Sequence, residues 1–253
     1  LGDPSLVSNP VTQLLDKAYA ANIRAAINPS KAGISLEIKP GTSPHDTPTE
    51  GTNTTHYSIV DHAGNTVSVT YTLNGWFGAG VTAKGTGILL NNEMDDFTVK
   101  PGTPNLFGLV QGSKNAIAPG KRPLSSMSPT IVSRNGKPVM VIGTPGGSRI
   151  ITVVVHSIIN VIDYGMNIQE AVNAPRFHQQ WLPDITEVET LALSSDAKKL
   201  LIDMGHKLGS PQPANHAAGI LIGAPALGGK PRGNNRYYGA IDPRRNTGLA
   251  AGY

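Results

Sequence analysis

The stretch EGTNTTHYSIVDHAGNTVSVTYTLN, Glu50 to Asn74, decides how the rest of the chain is read. Two alternating runs, Thr54–Val60 and Thr66–Leu73, flank the turn-forming cluster Asp61–Asn65. That pattern predicts an antiparallel hairpin. A loop over 61–65 pairs Thr54 with Thr72, His56 with Thr70, Ser58 with Ser68 and Val60 with Thr66. One face then carries Thr54, His56, Ser58, Thr66, Ser68, Thr70 and Thr72. The other carries Tyr57, Ile59, Val67, Val69, Tyr71 and Leu73. A one-residue slip would mix the two sets, whereas a two-residue slip would preserve them. If the second strand continues, Asn74 points the same way as Thr72. Immediately upstream, residues 28–53 carry Pro29, Pro40, Pro44 and Pro48 with Gly33, Gly41 and Gly51. This reads as a long, irregular, cleavable connector.

Outward from the hairpin, residues 9–27 show apolar spacing at Val11, Leu14, Leu15 and Ala18, which predicts a helix capped by Asn9 with Pro10 at its first position. GTGILLNN (85–92) and PVMVIG (138–143) read as buried strands. Residues 148–165 are rich in β-branched side chains, which favours strand, but their length favours a buried helix opened by Ser148. Residues 167–175 and 194–205 read as helices, the second N-capped by Ser194 or Ser195 and stopped by Gly205. Residues 217–225 and 235–244 form a closing hairpin. Strands, then helices, then strands predict an α+β fold with helices covering sheet faces.

Of the 253 residues, 39% are apolar and 15% charged, with a net charge of +4. That suffices for a core and excludes a disordered charged tail. No basic run with interleaved aromatics suggests nucleic acid, and no apolar run is long enough to span a membrane. Without cysteine there is no thiol nucleophile, Cys-zinc site or disulfide. The opening LGDPSLVSNP, which lacks an initial Met, reads as the interior of a longer precursor.

Several motifs carry little. Gly78-x-Gly80 lacks the third glycine of a dinucleotide loop. Glu93, Asp95 and Asp96 lack calcium-loop spacing. The seven histidines, at 45, 56, 62, 156, 178, 206 and 216, form no metal motif, and no G-x-S-x-G elbow anchors a serine triad. The Thr54 region carries more. A threonine hydroxyl becomes a useful nucleophile when its own α-amine, freed by cleavage in front of it, serves as base. Thr54 follows a severable connector, Thr72 lies opposite, and Gly146–Gly147 stand at a strand-to-helix junction where backbone N–H groups can face an oxyanion. The plain alternative is a hairpin with exposed threonines.

TTHYSIVD (54–61), TYTLN (70–74), NNEMDDF (91–97), KRPLSSMSPT (121–130), GTPGGSRI (143–150), APRFHQQWLPD (174–184) and DPR with a closing AGY occur in this order. Together they resemble the γ-glutamyltransferase (glutathione hydrolase) family of N-terminal-nucleophile hydrolases, bacterial type, across the whole chain. The resemblance implies a four-layer αββα sandwich, with 54–253 as the small catalytic subunit and 1–53 as the tail of the large subunit. It implies autoprocessing between Asn53 and Thr54, and Thr54 as nucleophile toward glutathione and other γ-glutamyl compounds, with water, amino acids or peptides as acceptors. Thr72 would support the Thr54 hydroxyl, and Gly146 and Gly147 would supply the oxyanion N–H groups. Asn74, Glu93 and Asp96 would hold the substrate α-ammonium, and Ser125 and Ser126 its α-carboxylate. No metal or cofactor is implied. The partner would be the large subunit, which would also supply a carboxylate-binding arginine from upstream of residue 1 and cover apolar surface. The location would be periplasmic or extracellular. Phe107, in a loop resembling the family's lid, stands where many bacterial members carry Tyr, so a gate hydrogen bond to Asn74 would be lost. Two other readings are a glutaryl or cephalosporin acylase, against which Glu93 and Asp96 argue, and an inactive fragment.

Overall fold

The computed structural model describes residues 1–38, 54–210, 215–245 and 248–252. In chain order its elements are α1 (Val11–Leu14), α2 (Lys17–Ala25), β1 (Thr54–Val60), β2 (Thr66–Thr72), β3 (Thr130–Arg134), β4 (Lys137–Gly143), α3 (Arg149–Ile162), α4 (Ile168–Asn173), β5 (Phe177–His178), β6 (Thr186–Val188), α5 (Ser195–Asp203), β7 (Leu208–Gly209), β8 (Ala218–Ile222) and β9 (Tyr237–Ile241). They group into two compact units. The first takes Leu1–Glu50, Glu93–Ser125 and Phe177–Pro211; the second takes Gly51–Asn92, Ser126–Arg176 and Gln212–Tyr253.

In the second unit β1 and β2 pair antiparallel in the predicted register, Thr54 with Thr72 through Val60 with Thr66. A four-stranded antiparallel sheet has the order β3-β4-β8-β9. Side chains alternate across it. Met140 and Ile142 of β4 and Leu221 of β8 join Ile150, Val153, Val154 and Val161 of α3 and Ile168, Ala171 and Val172 of α4 in one buried cluster. The ambiguous β-branched segment is therefore helix. Its buried residues recur every three to four positions, and its length exceeds a strand's. On the opposite face lies the β1–β2 hairpin: Ser58 Oγ donates to the Ala218 carbonyl and Ser68 Oγ to that of Ile142, both at 3.4 Å. The layer order is helices, sheet, hairpin. The polar side of the hairpin is thus the half-buried one. Tyr57, Ile59, Val67 and Tyr71 on its other side are 43–59% exposed.

A buried charge cluster ties the end of α4 to the end of β9. Asp242 Oδ2 accepts from Arg176 Nη2 at 2.7 Å, and Oδ1 from Arg244 Nη1 at 2.9 Å. Arg176 also donates to the Val172 carbonyl, and Arg244 to those of Val172, Asn173 and Ala174. The last carbonyls of α4 are thus met by cations, the charge that a helix C-terminus favours. Burial alone would raise the Asp242 carboxyl; Arg176 and Arg244 override it and hold the group below the usual range.

The first unit holds α1, α2, α5 and a small sheet in which β6 pairs antiparallel with β5 and parallel with β7. Arg122 grips the buried Asp3 through both Nε and Nη2, at 3.1 and 2.8 Å.

Four expectations need correction. The 9–27 helix breaks into α1 and α2, because Asp16 stops the first and N-caps the second by accepting from Ala18 N. Asn9 caps nothing; its side chain exchanges two hydrogen bonds with the Gly2 backbone. Residues 85–92 form no strand: Gly85 and Gly87 sit at φ +80 and +73, and the segment folds back on 79–83 with Ile88 63% exposed. β2 stops at Thr72, so Asn74 does not continue its alternation; it sits in the left-handed region at φ 71. The closing hairpin β8–β9 and helices α4 and α5 form as expected, α4 with a full Asn167–Glu170 capping box and α5 capped by Ser194. β3 and β5–β7 were not foreseen.

Removing Asp242 would take away the carboxylate to which the buried Arg176 and its neighbour Arg244 both donate. Asp242→Ala is therefore expected to lower stability by about 3–5 kcal/mol, measured by urea unfolding of the full-length protein.

Candidate active site

Thr54 opens β1, and its Oγ1 donates to Thr72 Oγ1 across the first rung at 3.1 Å. The same Thr72 oxygen accepts the backbone N–H of Asn74 at 2.8 Å. That bond holds the chain where β2 ends and turns. The turn is locked further by the loop returning through 91–92: Leu73 O accepts from Asn92 N at 3.1 Å, and Asn92 Oδ1 accepts from Gly75 N at 2.8 Å. Asn74 is 2% exposed, and its Nδ2 donates to the Asn92 carbonyl at 3.2 Å. Its carboxamide oxygen accepts from no group among the described residues, so it is an oriented acceptor. A buried non-glycine residue at φ 71 carries backbone strain of the kind that collects at functional sites.

Between the end of β4 and the start of α3 the chain runs Thr144-Pro145-Gly146-Gly147-Ser148. Gly146 lies at φ 131 and Gly147 at φ 55, both costly for residues with a Cβ. At Gly146 a methyl group would also overlap the amide of Asn215. The carbonyls of Gly146 and Gly147 accept from Arg149 N and Ile150 N at 3.1 and 3.2 Å. Neither glycine N–H is taken by an acceptor among the described residues. Two adjacent N–H groups at the mouth of a 14-residue helix suit an anion that forms during a reaction. Thr54 and Thr72 also line a groove of about 880 Å³ that runs between β1 and β8, with His56, His216 and Arg245.

His56 is the next residue of β1 on the same face as Thr54. Its Nδ1 lies 2.8 Å from Thr70 Oγ1 and its Nε2 3.0 Å from Ser58 Oγ. Burial, with His216 nearby, lowers its pKa from 6.5 to about 4. The imidazole is neutral at neutral pH.

Glu93, Asp96, Phe107 and Ser125 belong to the first unit; Thr54, Thr72, Asn74, Ser126, Gly146 and Gly147 belong to the second. Asn53 lies outside the described residues. A 3-10 turn, Glu93–Asp96, separates the acidic cluster by role. Asp95 is engaged by its own loop, its Oδ2 accepting from Leu106 N at 2.8 Å. Glu93 and Asp96 instead act on each other: burial plus Glu93 push Asp96 up to about 7, while burial raises Glu93. Two carboxyls so placed are suited to a cation. Phe107 is buried in the loop 99–111, where Asn105 Oδ1 accepts from both Phe107 N and Leu109 N at 3.0 Å. Ser125 is exposed and Ser126 half-buried in an irregular segment, and Ser126 O accepts from Ser128 Oγ at 3.0 Å. Neither His56 nor Asn215 was singled out from the sequence.

A family model described as gamma-glutamyltranspeptidase matches residues 1–252. The chain is 69% identical over all its 253 residues to a glutathione hydrolase proenzyme of Pseudomonas sp. strain A14 and spans 43% of that relative's length. A solved Helicobacter pylori gamma-glutamyltranspeptidase, a T380A mutant, is 52% identical with a TM-score of 0.69, covering 76% of this chain and 100% of that one. A Bacillus halodurans cephalosporin acylase gives a TM-score of 0.75 at 27% identity, covering 96% of this chain and 40% of that one.

The depressed His56 pKa makes a signed prediction. The folded state keeps this ring neutral while the unfolded state protonates it, so its contribution is complete above about 6.5 and is lost as pH falls toward about 4. The urea midpoint of His56→Gln should fall less across that interval than the parent's; an unchanged slope would contradict the assignment.

Proposed function

The chain belongs to the gamma-glutamyltranspeptidase family, and from that premise we propose that it forms the catalytic part of a γ-glutamyl hydrolase and transferase with Thr54 as nucleophile. The observation that carries this reading is the Thr54–Thr72–Asn74 network, together with the two uncommitted N–H groups of Gly146 and Gly147 in the same unit. In the precursor, the Thr54 hydroxyl attacks the Asn53 carbonyl and the acyl group moves from nitrogen to oxygen. Water then hydrolyses the ester, leaving a carboxylate on Asn53 and a free amine on Thr54. Residues 1–53 become the tail of a large subunit and 54–253 the small subunit.

In turnover the free amine, whose pKa is about 8, takes the proton from the Thr54 hydroxyl as its oxygen attacks the γ-carbonyl of glutathione or another γ-glutamyl amide. Thr72 fixes the hydroxyl. Gly146 and Gly147 N–H groups stabilise the oxyanion. The amine then protonates the departing nitrogen, and the γ-glutamyl ester passes to water, an amino acid or a peptide. Asn74, Glu93 and Asp96 hold the substrate α-ammonium, and Ser125 and Ser126 donate to its α-carboxylate. Phe107 lies in the lid and offers no phenol oxygen to Asn74. The partner is the large subunit of the same precursor, and the location is periplasmic or extracellular. No helix among the described residues is long and apolar enough to cross a membrane.

The fold shared with a cephalosporin acylase favours one second reading, hydrolysis of glutaryl amides. The acidic pair decides between them, since a glutaryl group has no ammonium. γ-Glutamyl anilide should be cleaved faster than glutaryl anilide, and the reverse order would favour the acylase.

Two further measurements test the assignment. Thr54→Ala in the full-length protein should abolish both cleavage and activity, while the parent's small subunit should begin Thr54-Thr55-His56 on N-terminal sequencing. Cleavage in the mutant would remove Thr54 from its role. Because burial and the neighbouring Glu93 push Asp96 up to about 7, KM for a γ-glutamyl substrate should rise as pH falls through that value. In Asp96→Asn, KM should be high and much flatter with pH.

A further inference from the structure

We propose that His56 is a positioning residue, a neutral spacer that sets β1, which carries Thr54, against the end of β4, which leads into Gly146–Gly147. This inference rests on the Thr54 reading above and adds a residue to which that reading gives no part.

The argument is steric first. His56 and Thr54 share the inward face of β1, two residues apart. Beneath the imidazole lies Gly143, the last residue of β4. A methyl group built on Gly143 would overlap three ring atoms of His56, its Cε1, Nδ1 and Nε2. The backbone of Gly143 leaves the left-handed region to other residues, so its lack of a side chain is not required by its own conformation. It is required by the ring above it. The imidazole therefore seats directly on the β4 backbone, three residues before Gly146.

The polar contacts fix the ring in that seat. Ser58 Oγ directs its hydrogen to the Ala218 carbonyl at 3.4 Å, so it accepts from His56 Nε2–H at 3.0 Å. His56 Nδ1 then accepts from the Thr70 hydroxyl at 2.8 Å. This assigns the Nε2–H tautomer from the network. With Nε2 donating and Nδ1 accepting, the ring is the neutral imidazole, since an imidazolium would donate from both nitrogens. The low pKa agrees. The two partners stand on β1 and β2, and through Ser58 the network reaches β8. One side chain thus links the nucleophile's hairpin to both central strands of the sheet below.

The consequence for chemistry is a distance. Thr54 moves with β1, and the oxyanion glycines move with the end of β4. Reaction requires the attacking oxygen and the N–H donors to converge on one carbonyl, and a misplacement of about 1 Å can cost on the order of 10²-fold in rate. Substrate head recognition uses other residues and need not change. Precursor cleavage uses the same nucleophile and the same donors, so it should slow with turnover.

The test is a double-mutant cycle in the full-length protein, with His56→Ala, Gly143→Ala and the pair. kcat and KM for γ-glutamyl anilide, and the half-time of cleavage by intact mass, are read for each. His56→Ala should lower kcat by on the order of 10²-fold, with KM within about threefold and cleavage slowed in parallel. Gly143→Ala should also lower kcat in the parent, because the methyl displaces the ring. In the His56→Ala background it should cost at least about tenfold less, as expected of residues in contact. Additive losses, or losses in KM alone, would overturn the proposal, and so would a His56→Ala enzyme with normal kcat. Thr54→Ala run alongside separates the two levels: activity there refutes the nucleophile, whereas an inactive Thr54→Ala beside a fully active His56→Ala refutes the spacer only. If His56→Ala fails to accumulate, His56→Asn with Gly143→Ala provides the same cycle.

Discussion

The inward turn of the polar face of the β1–β2 hairpin is the constraint on which the rest of the second unit depends. Hydroxyl and imidazole groups removed from water must find partners or cost about 1–3 kcal/mol each. Here they find one another across the rungs: Thr54 with Thr72, His56 with Thr70 and Ser58, and Ser58 and Ser68 with carbonyls of the sheet below. An apolar inner face would pack equally well and hold nothing reactive. A polar one yields an oriented hydroxyl at the first residue of the strand.

The Gly146–Gly147 strip has a different physical origin. Gly146 and Gly147 occupy backbone conformations that are costly for residues with a side chain. The β4 strand before them is completely buried from Met140 to Gly143, and α3 after them contributes much of the core. The strip is a short irregular segment between two of the best-packed elements, so its N–H groups are held still without being satisfied. The Asp242 cluster secures the same scaffold from the far side by joining α4 to β9.

Much of this was legible because the relevant periods are short. Alternation in 54–60 and 66–72 fixed which residues share a face, while the pairing, which a two-residue slip would also have allowed, follows from the fold. Yet alternation cannot say which face is buried, and the usual rule, apolar inside, fails for this hairpin. The same rule misread 85–92, whose Ile88, Leu89 and Leu90 are exposed. His56 was on the correct face in the sequence reading, but its role was not visible there. Its seat is made by the absence of a side chain at Gly143, far away in the sequence. Asn74 was placed beside Thr72 only on condition that the strand continued; the fold shows instead the left-handed turn that aims its amide.

The outer side of that hairpin has a colloidal consequence. Tyr57, Ile59, Val67 and Tyr71 form an apolar panel on a sheet of only two strands. Such a panel, next to strand edges able to pair with another chain, is an adhesive. A preparation of these residues alone would lose material from solution with time and concentration, through stacking of panel on panel. Its shelf life, rather than its melting point, would report that the panel is bare.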